Sequence, residues 1–311
     1  LQLSLGRLFW ISGDYNQCEK TVNGLLRSPA VRDDLTLSGK ARHLAGELLR
    51  RRGQFEKAET VLRQAQLDFR KAGDKHGLLE IYNTLGIVCW AQGKLHDAAA
   101  YFREALKLGR NIVDLTFRAR LLNNLGILFE EQAQLQRARR YYARACDIFS
   151  EIGHRRNRAY CLGNLANIDR LTGRFASARE GYEEVLRETN AIGEAHAHAY
   201  TLGNLGDLYA DFGDVVRAAP YYRRTLAFAR RADDDELKAE TLLRMAVLAR
   251  SKDKHDTFIR HVHEAAALAR KAGSEEFQIK AALLAESVAP AAQKLPGAAA
   301  RLHGLLKRAQ Q

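Results

Sequence analysis

Residues 76–110 read HGLLEIYNTLGIVCWAQGKLHDAAAYFREALKLGR, and the fold follows from this stretch. Leu78, Ile81, Tyr82, Leu85 and Cys89 recur at intervals of three and four, which draws one apolar stripe down a helix. Gln92-Gly93 interrupts it, because glycine readily takes the left-handed conformation that stops a helix. A second helix is predicted to open at Lys94 or Leu95, with Leu95, Ala98, Ala99, Phe102, Ala105 and Leu106 on its buried side. Small residues at facing positions let two antiparallel helices approach closely. Larger ones there would cost roughly 1–3 kcal/mol in overpacking.

Outward from this stretch the same plan returns every 40 residues. A first column of small residues reads Gly6, Gly46, Gly86, Gly126, Ala166, Gly206 and Ala246. Seven positions later stand Gly13, Gly53, Gly93, Ala133, Gly173, Gly213 and Asp253. Five further on come Cys18, Ala58, Ala98, Ala138, Ala178, Ala218 and Phe258. Between repeats Gly73-Asp74, Gly153-His154, Gly193-Glu194, Asp233-Asp234 and Gly273-Ser274 keep the interval, the first residue ending one helix and Asp or Ser capping the next. A fixed period of this size marks stacked repeats whose core grows lengthwise, so 311 residues read as one elongated domain. The column Phe102, Tyr142, Tyr182 and Tyr222 is filled elsewhere by Val22, Leu62 and Val262, which cannot stack on bases. The column is therefore predicted to be core.

Composition narrows the function classes. Net charge is +12, spread along the chain instead of gathered into a tail. That bias suits an acidic partner and keeps a basic solenoid that binds nucleic acid as an alternative. Cys18, Cys89, Cys146 and Cys161 follow no zinc spacing. Cys18 and Cys89 read as small core side chains, and the set points to a reducing, cytoplasmic compartment. His196 with His198, and His261 with His263, are two apart, which turns each pair to different faces of a helix and argues against a metal site. Neither a phosphate-binding loop nor a paired Ser/His arrangement occurs. No catalytic set, metal or cofactor is expected. The runs Arg50–Arg52, Arg137/Arg139/Arg140 and Arg155/Arg156/Arg158 are expected to be solvated helix ends.

The small columns, the second-helix tyrosine and segments such as Asn124-Leu125-Gly126 and Asn204-Leu205-Gly206 resemble the tetratricopeptide repeat in a 40-residue variant. That variant is similar to the LGN-type adaptors and to the C-terminal arrays of MalT-like and AfsR-like bacterial regulators. The resemblance implies an all-α, right-handed superhelical solenoid of antiparallel helix pairs. Seven repeats would occupy residues 1–274. Residues 275–311, where Ser287, Pro290 and Pro296 depart from the pattern, would form a degenerate eighth repeat or helical cap. The chain starts at Leu1 without Met, and Gly6 falls deep in a first helix, so the sequence reads as a piece of a longer protein.

In this family the first helix of each repeat lines a groove. The matching positions here are Glu80, Asn83 and Trp90 in the third repeat, and Arg120, Asn123, Asn124 and Glu130 in the fourth. The fifth contributes Tyr160, Asn164, Asn167 and Arg170, and the sixth Tyr200, Asn204 and Asp207. Each Asn offers two donors and an acceptor, so a ladder of them suits a peptide backbone, while charged neighbours select its side chains. Asn124, Asn164 and Asn204 could instead stitch neighbouring helices together. The interleaved Lys/Asn/Arg set of carboxylate-clamp repeats is missing. The expected function is a non-enzymatic protein- or peptide-binding scaffold, the interaction or sensor module of a larger bacterial signalling or transcription-regulating protein. A small-molecule-sensing array relaying to a switch domain is the alternative in the same physical class.

Overall fold

The left-handed turns expected from the glycine columns are where the helices end. Gly13, Gly53, Gly93, Gly173 and Gly213 take φ of +70° to +80°, and Ala133 and Asp253 occupy the same conformation at +55° and +54° without being glycine. At Gly93 the turn is closed by Gly93 N–H on Trp90 O at 2.9 Å and Lys94 N–H on Cys89 O at 2.8 Å. These bonds satisfy carbonyls that the helix end leaves open. Between repeats, Gly73, Gly153, Gly193, Asp233 and Gly273 are left-handed as well. Asp74 and Asp234 then accept from the backbone N–H three residues on, each at 2.9 Å. Ser274, expected as a cap, makes no such side-chain bond.

The computed structural model describes residues 2–109 and 114–287, and among these it is entirely helical apart from turns. First helices of the repeats are α1 (Gln2–Ser12), α4 (Leu35–Arg51), α6 (Lys75–Ala91), α8 (Leu115–Glu131), α10 (Arg155–Leu171), α12 (Ala195–Asp211), α14 (Asp235–Arg250) and α16 (Glu275–Glu286). Second helices are α2 (Tyr15–Arg27), α5 (Phe55–Ala72), α7 (Leu95–Leu108), α9 (Leu135–Glu151), α11 (Phe175–Ile192), α13 (Val215–Arg231) and α15 (His255–Ala272). A short α3 (Pro29–Asp33) intervenes before α4. The fold is thus all-α and built of antiparallel helix pairs. It divides into two compact units, Leu1–Ile148 and Phe149–Gln311. The prolines at 290 and 296 lie outside the described residues.

Within each pair the small first column meets the second-helix aromatic column. A Cβ added to Gly126 would stand 2.5 Å from Tyr142 Cε1, and one on Gly46 2.5 Å from Leu62 Cγ. Phe102, Tyr142, Tyr182 and Tyr222 are no more than 2% exposed, so the aromatic column is core. Each such side chain stabilises by roughly 1.5–3 kcal/mol relative to exposure. The fifth repeat inverts the arrangement: Ala166 fills the first column, and Gly181 of α11 gives way to it, since a Cβ there would meet Ala166 Cβ at 2.9 Å. Cys18, Cys89 and Cys161 are buried free thiols, and burial pushes the Cys89 thiol up to about 11.

Candidate functional site

The polar side of the first helices is a set of columns at fixed offsets from the small residue, repeated by helices that neighbour one another within a unit. In the unit Leu1–Ile148, these columns are joined sideways. Asn124 Nδ2 of α8 donates to Asn83 Oδ1 of α6 at 2.8 Å. His43 of α4 reaches Thr84 Oγ1 at 3.0 Å and Glu80 Oε2 at 3.6 Å. Burial would raise the Glu80 carboxyl, but the hydrogen bond to His43 together with the charges of His43, His76 and Arg7 holds it below the usual range. Tyr142 donates through the core to Glu130 Oε2 at 2.8 Å, tying a groove residue to the second helix. Asn123 is half-buried beside Asn124. Trp90 and Arg120 stand apart from this row: Trp90 is an exposed ring, and the Arg120 guanidinium lies 5.3 Å from the Phe117 ring.

The unit Phe149–Gln311 carries the denser constellation. Arg170 of α10 pairs with Asp211 Oδ2 of α12 at 2.5 Å and donates to Asn167 Oδ1 at 3.3 Å. Arg244 of α14 pairs with Asp207 Oδ2 at 3.2 Å and Glu240 Oε1 at 3.0 Å, and donates to Asn204 Oδ1 at 3.4 Å. Tyr222 donates to the other Asp207 oxygen at 2.8 Å. Arg170, Asp207, Tyr222, Arg244 and Val247 line a cavity of about 500 Å³. Arg170 Nε and Arg244 Nη1 are buried with no hydrogen-bond partner among the described residues. Asn164 is half-buried on α10. Tyr160 and Tyr200 present their rings at 44% and 38% exposure. Burial, then the negative charges of Glu240, Asp234 and Glu236, pushes the Tyr200 phenol up to about 12. Burial also raises the Glu240 carboxyl, against the pull of Arg244.

Arg244, Glu240 and His43 join the residues expected from the sequence. They hold the same offsets from Ala246 and Gly46 that Asn204, Tyr200 and Asn83 hold from their own small residues, so the spacing rule extended to the second and seventh repeats finds them. Gly203 makes room for Arg244, because a Cβ there would collide with Arg244 Nη1.

The arginine runs are largely tied down locally. Arg50 pairs with Glu47 at 2.7 Å, Arg52 with Glu19 at 2.9 Å, and Arg51 lies 4.8 Å from the Tyr15 ring centre. Arg156 pairs with Glu194, and Arg158 with Glu184 and Glu188. His196 faces Asp234 while His198 meets Thr189, so the two imidazoles do point apart. No helix among the described residues is long and apolar enough to cross a membrane.

Comparison with known proteins places this geometry. No curated protein sequence matches the chain. Among solved structures, a Rap protein complexed with Competence and Sporulation Factor is similar with a TM-score of 0.77 at 14% identity, covering 99% of this chain and 86% of that one. The apo quorum sensor NprR from B. thuringiensis gives 0.71 at 18% identity, over 99% and 90%. NprR with its cognate peptide NprX gives 0.70 at 17%, over 99% and 87%. At these identities the likeness speaks to the fold. The sequence profile of the Tetratricopeptide repeat matches residues 37–111, 117–188 and 155–231, more than half of the chain. With that match over a fold built of repeated antiparallel helix pairs, the chain belongs to the tetratricopeptide repeat family.

Proposed function

We propose that the protein is a peptide-binding scaffold that holds an extended segment along the polar columns of its first helices. The observation that carries this reading is the cavity of about 500 Å³ lined by Arg170, Asp207, Tyr222 and Arg244, whose mixed cationic and anionic wall suits the carbonyls, amides and side chains of a peptide. The asparagines support it in a particular way. Asn83, Asn124 and Asn204 each spend part of their capacity on a sideways bond, which helps fix their orientation, and each amide has further donor or acceptor capacity. Of the similar solved structures, one is a complex with Competence and Sporulation Factor and one with the cognate peptide NprX, which is consistent with a peptide ligand here.

The broader context is a cytoplasmic interaction or sensor module of a larger bacterial signalling or transcription-regulating protein, acting by binding and not by turnover. A nucleic-acid ligand is less favoured, because the arginine runs that would make a basic patch are partly paired with neighbouring carboxylates. Selection from a displayed library of random decapeptides tests the reading. Enriched peptides should bind saturably, with an affinity that changes little between low and physiological salt. If only polyanions are retained, and with a steep salt slope, the peptide reading is wrong.

A further inference from the structure

Gly109 breaks a column that is filled in the other repeats from the second to the seventh. At the same place in their repeats stand Phe69, Phe149, Thr189, Ala229 and Ala269, each no more than 2% exposed. The flanking Phe69 and Phe149 show what a large side chain does there: it plugs the junction with the next repeat. Glycine supplies no plug, and α7 also stops after 14 residues where α5 runs for 18. The result is a cleft of about 520 Å³. That falls in the roughly 300–1,000 Å³ range of small-ligand sites.

Its chemistry is two-sided. Leu79, Leu106, Phe117 and Leu121 form an apolar floor, and Arg103, Lys107, Arg118 and Arg144 stand around it. None of these four cations makes an ion pair or side-chain hydrogen bond among the described residues, whereas Arg42, Arg63, Arg158, Arg170, Arg174 and Arg244 all do. Glu104 and Asp114 are the acids of the lining, and Asp114 is committed to the Phe117 N–H at 2.8 Å. Four unpaired cations over an apolar floor favour a ligand that is greasy at one end and negative at the other.

We propose that this cleft binds a small amphipathic anion. The apolar body would take the place of the missing phenylalanine, and a carboxylate or phosphate head would sit among Arg103, Lys107, Arg118 and Arg144. The site shares no residue with the groove columns, so its failure would leave the peptide reading intact.

Calorimetric titration of the chain with sodium decanoate tests it, with 1-decanol and inorganic phosphate as probes of each half of the ligand. Decanoate should bind saturably at one site per chain, and neither half-probe should match it. Arg118→Gln with Arg144→Gln should weaken binding by at least about tenfold. Gly109→Phe should abolish it without lowering the melting temperature. Gly109 has φ −78° and a Cβ there would touch only Leu79, at 3.4 Å and beyond, so a side chain is admissible. Should that variant not fold, the double glutamine variant decides. Vesicles of anionic phospholipid separate a free ligand from a membrane lipid: the proposal predicts that decanoate binds and vesicles do not. Failure of decanoate to saturate, equal binding of decanol, unchanged affinity in the variants, or binding to vesicles alone would each overturn it.

Discussion

Gly126 lies directly beneath the ring of Tyr142, so that a Cβ on the glycine would stand 2.5 Å from Tyr142 Cε1, while the Tyr142 hydroxyl donates at 2.8 Å to Glu130 on the helix that carries Gly126. One tyrosine thus sets the spacing of a helix pair and orients a groove carboxylate. Helix propensity would favour alanine at 126 by about 1 kcal/mol. Overpacking opposes it by roughly 1–3 kcal/mol. Gly126→Ala should therefore be destabilising by up to about 2 kcal/mol in urea unfolding, and a stabilising result would show that the pair can simply move apart.

The turn column makes the opposite prediction. Ala133 is left-handed at φ +55°, in a position that glycine fills in five repeats. A non-glycine residue in that conformation is strained by roughly 1–2 kcal/mol. Ala133→Gly should raise the unfolding free energy by about 0.5–1 kcal/mol, after the greater flexibility of the unfolded chain is set against the relieved strain. Gly93→Ala should lower it by a similar amount, although the space around Gly93 is open. Equal melting of all three proteins would contradict the account of the turns.

The buried tyrosines give a pH dependence. Burial pushes the Tyr182 phenol up to about 12, against the pull of the Arg170 charge, and Tyr222 is raised by burial and then by Asp207. An unfolded tyrosine ionises near pH 10. The folded state thus holds protons that the unfolded state has lost, so stability is intact below pH 10 and falls as pH rises toward 12. Denaturation midpoints at pH 9, 10.5 and 11.5 should decline in that order, with a shallower decline in Tyr182→Phe. A flat profile would be inconsistent with phenols locked in the core.

Gly203 and Arg244 provide a test of the groove constellation. Gly203→Ala places a methyl against Arg244 Nη1 and should detach the guanidinium from Asp207 and Asn204. Affinity for a library-selected peptide should fall by roughly tenfold, the size of one charge-assisted hydrogen bond. The same loss in Arg244→Ala, with no further loss in the double variant, would show that both act through one contact. Additive losses would assign Gly203 a separate role.

Much of the fold was legible because local rules and the period agree. Gly93 stops a helix wherever the chain folds, and a column that admits Phe102, Leu62 and Val262 alike must be core. The groove was legible only in part. The bond between Asn83 and Asn124 joins residues 41 apart and depends on how neighbouring repeats pack. Arg244 stands in a column that holds asparagine in the fourth to sixth repeats, so it belongs to the groove by spacing and departs from it by residue type. Gly109 looked like an ordinary helix end, and only its empty place beside Leu79 and Phe117 reveals the cleft.

The most direct test of the central claim is fluorescence anisotropy of a library-selected decapeptide against Asn164→Ala with Asn204→Ala, with melting followed on the same samples. The peptide-binding account predicts at least about tenfold weaker binding from two lost hydrogen bonds, at an unchanged melting temperature. Undiminished binding together with a lowered melting temperature would show that these asparagines hold the helices together and take no part in recognition.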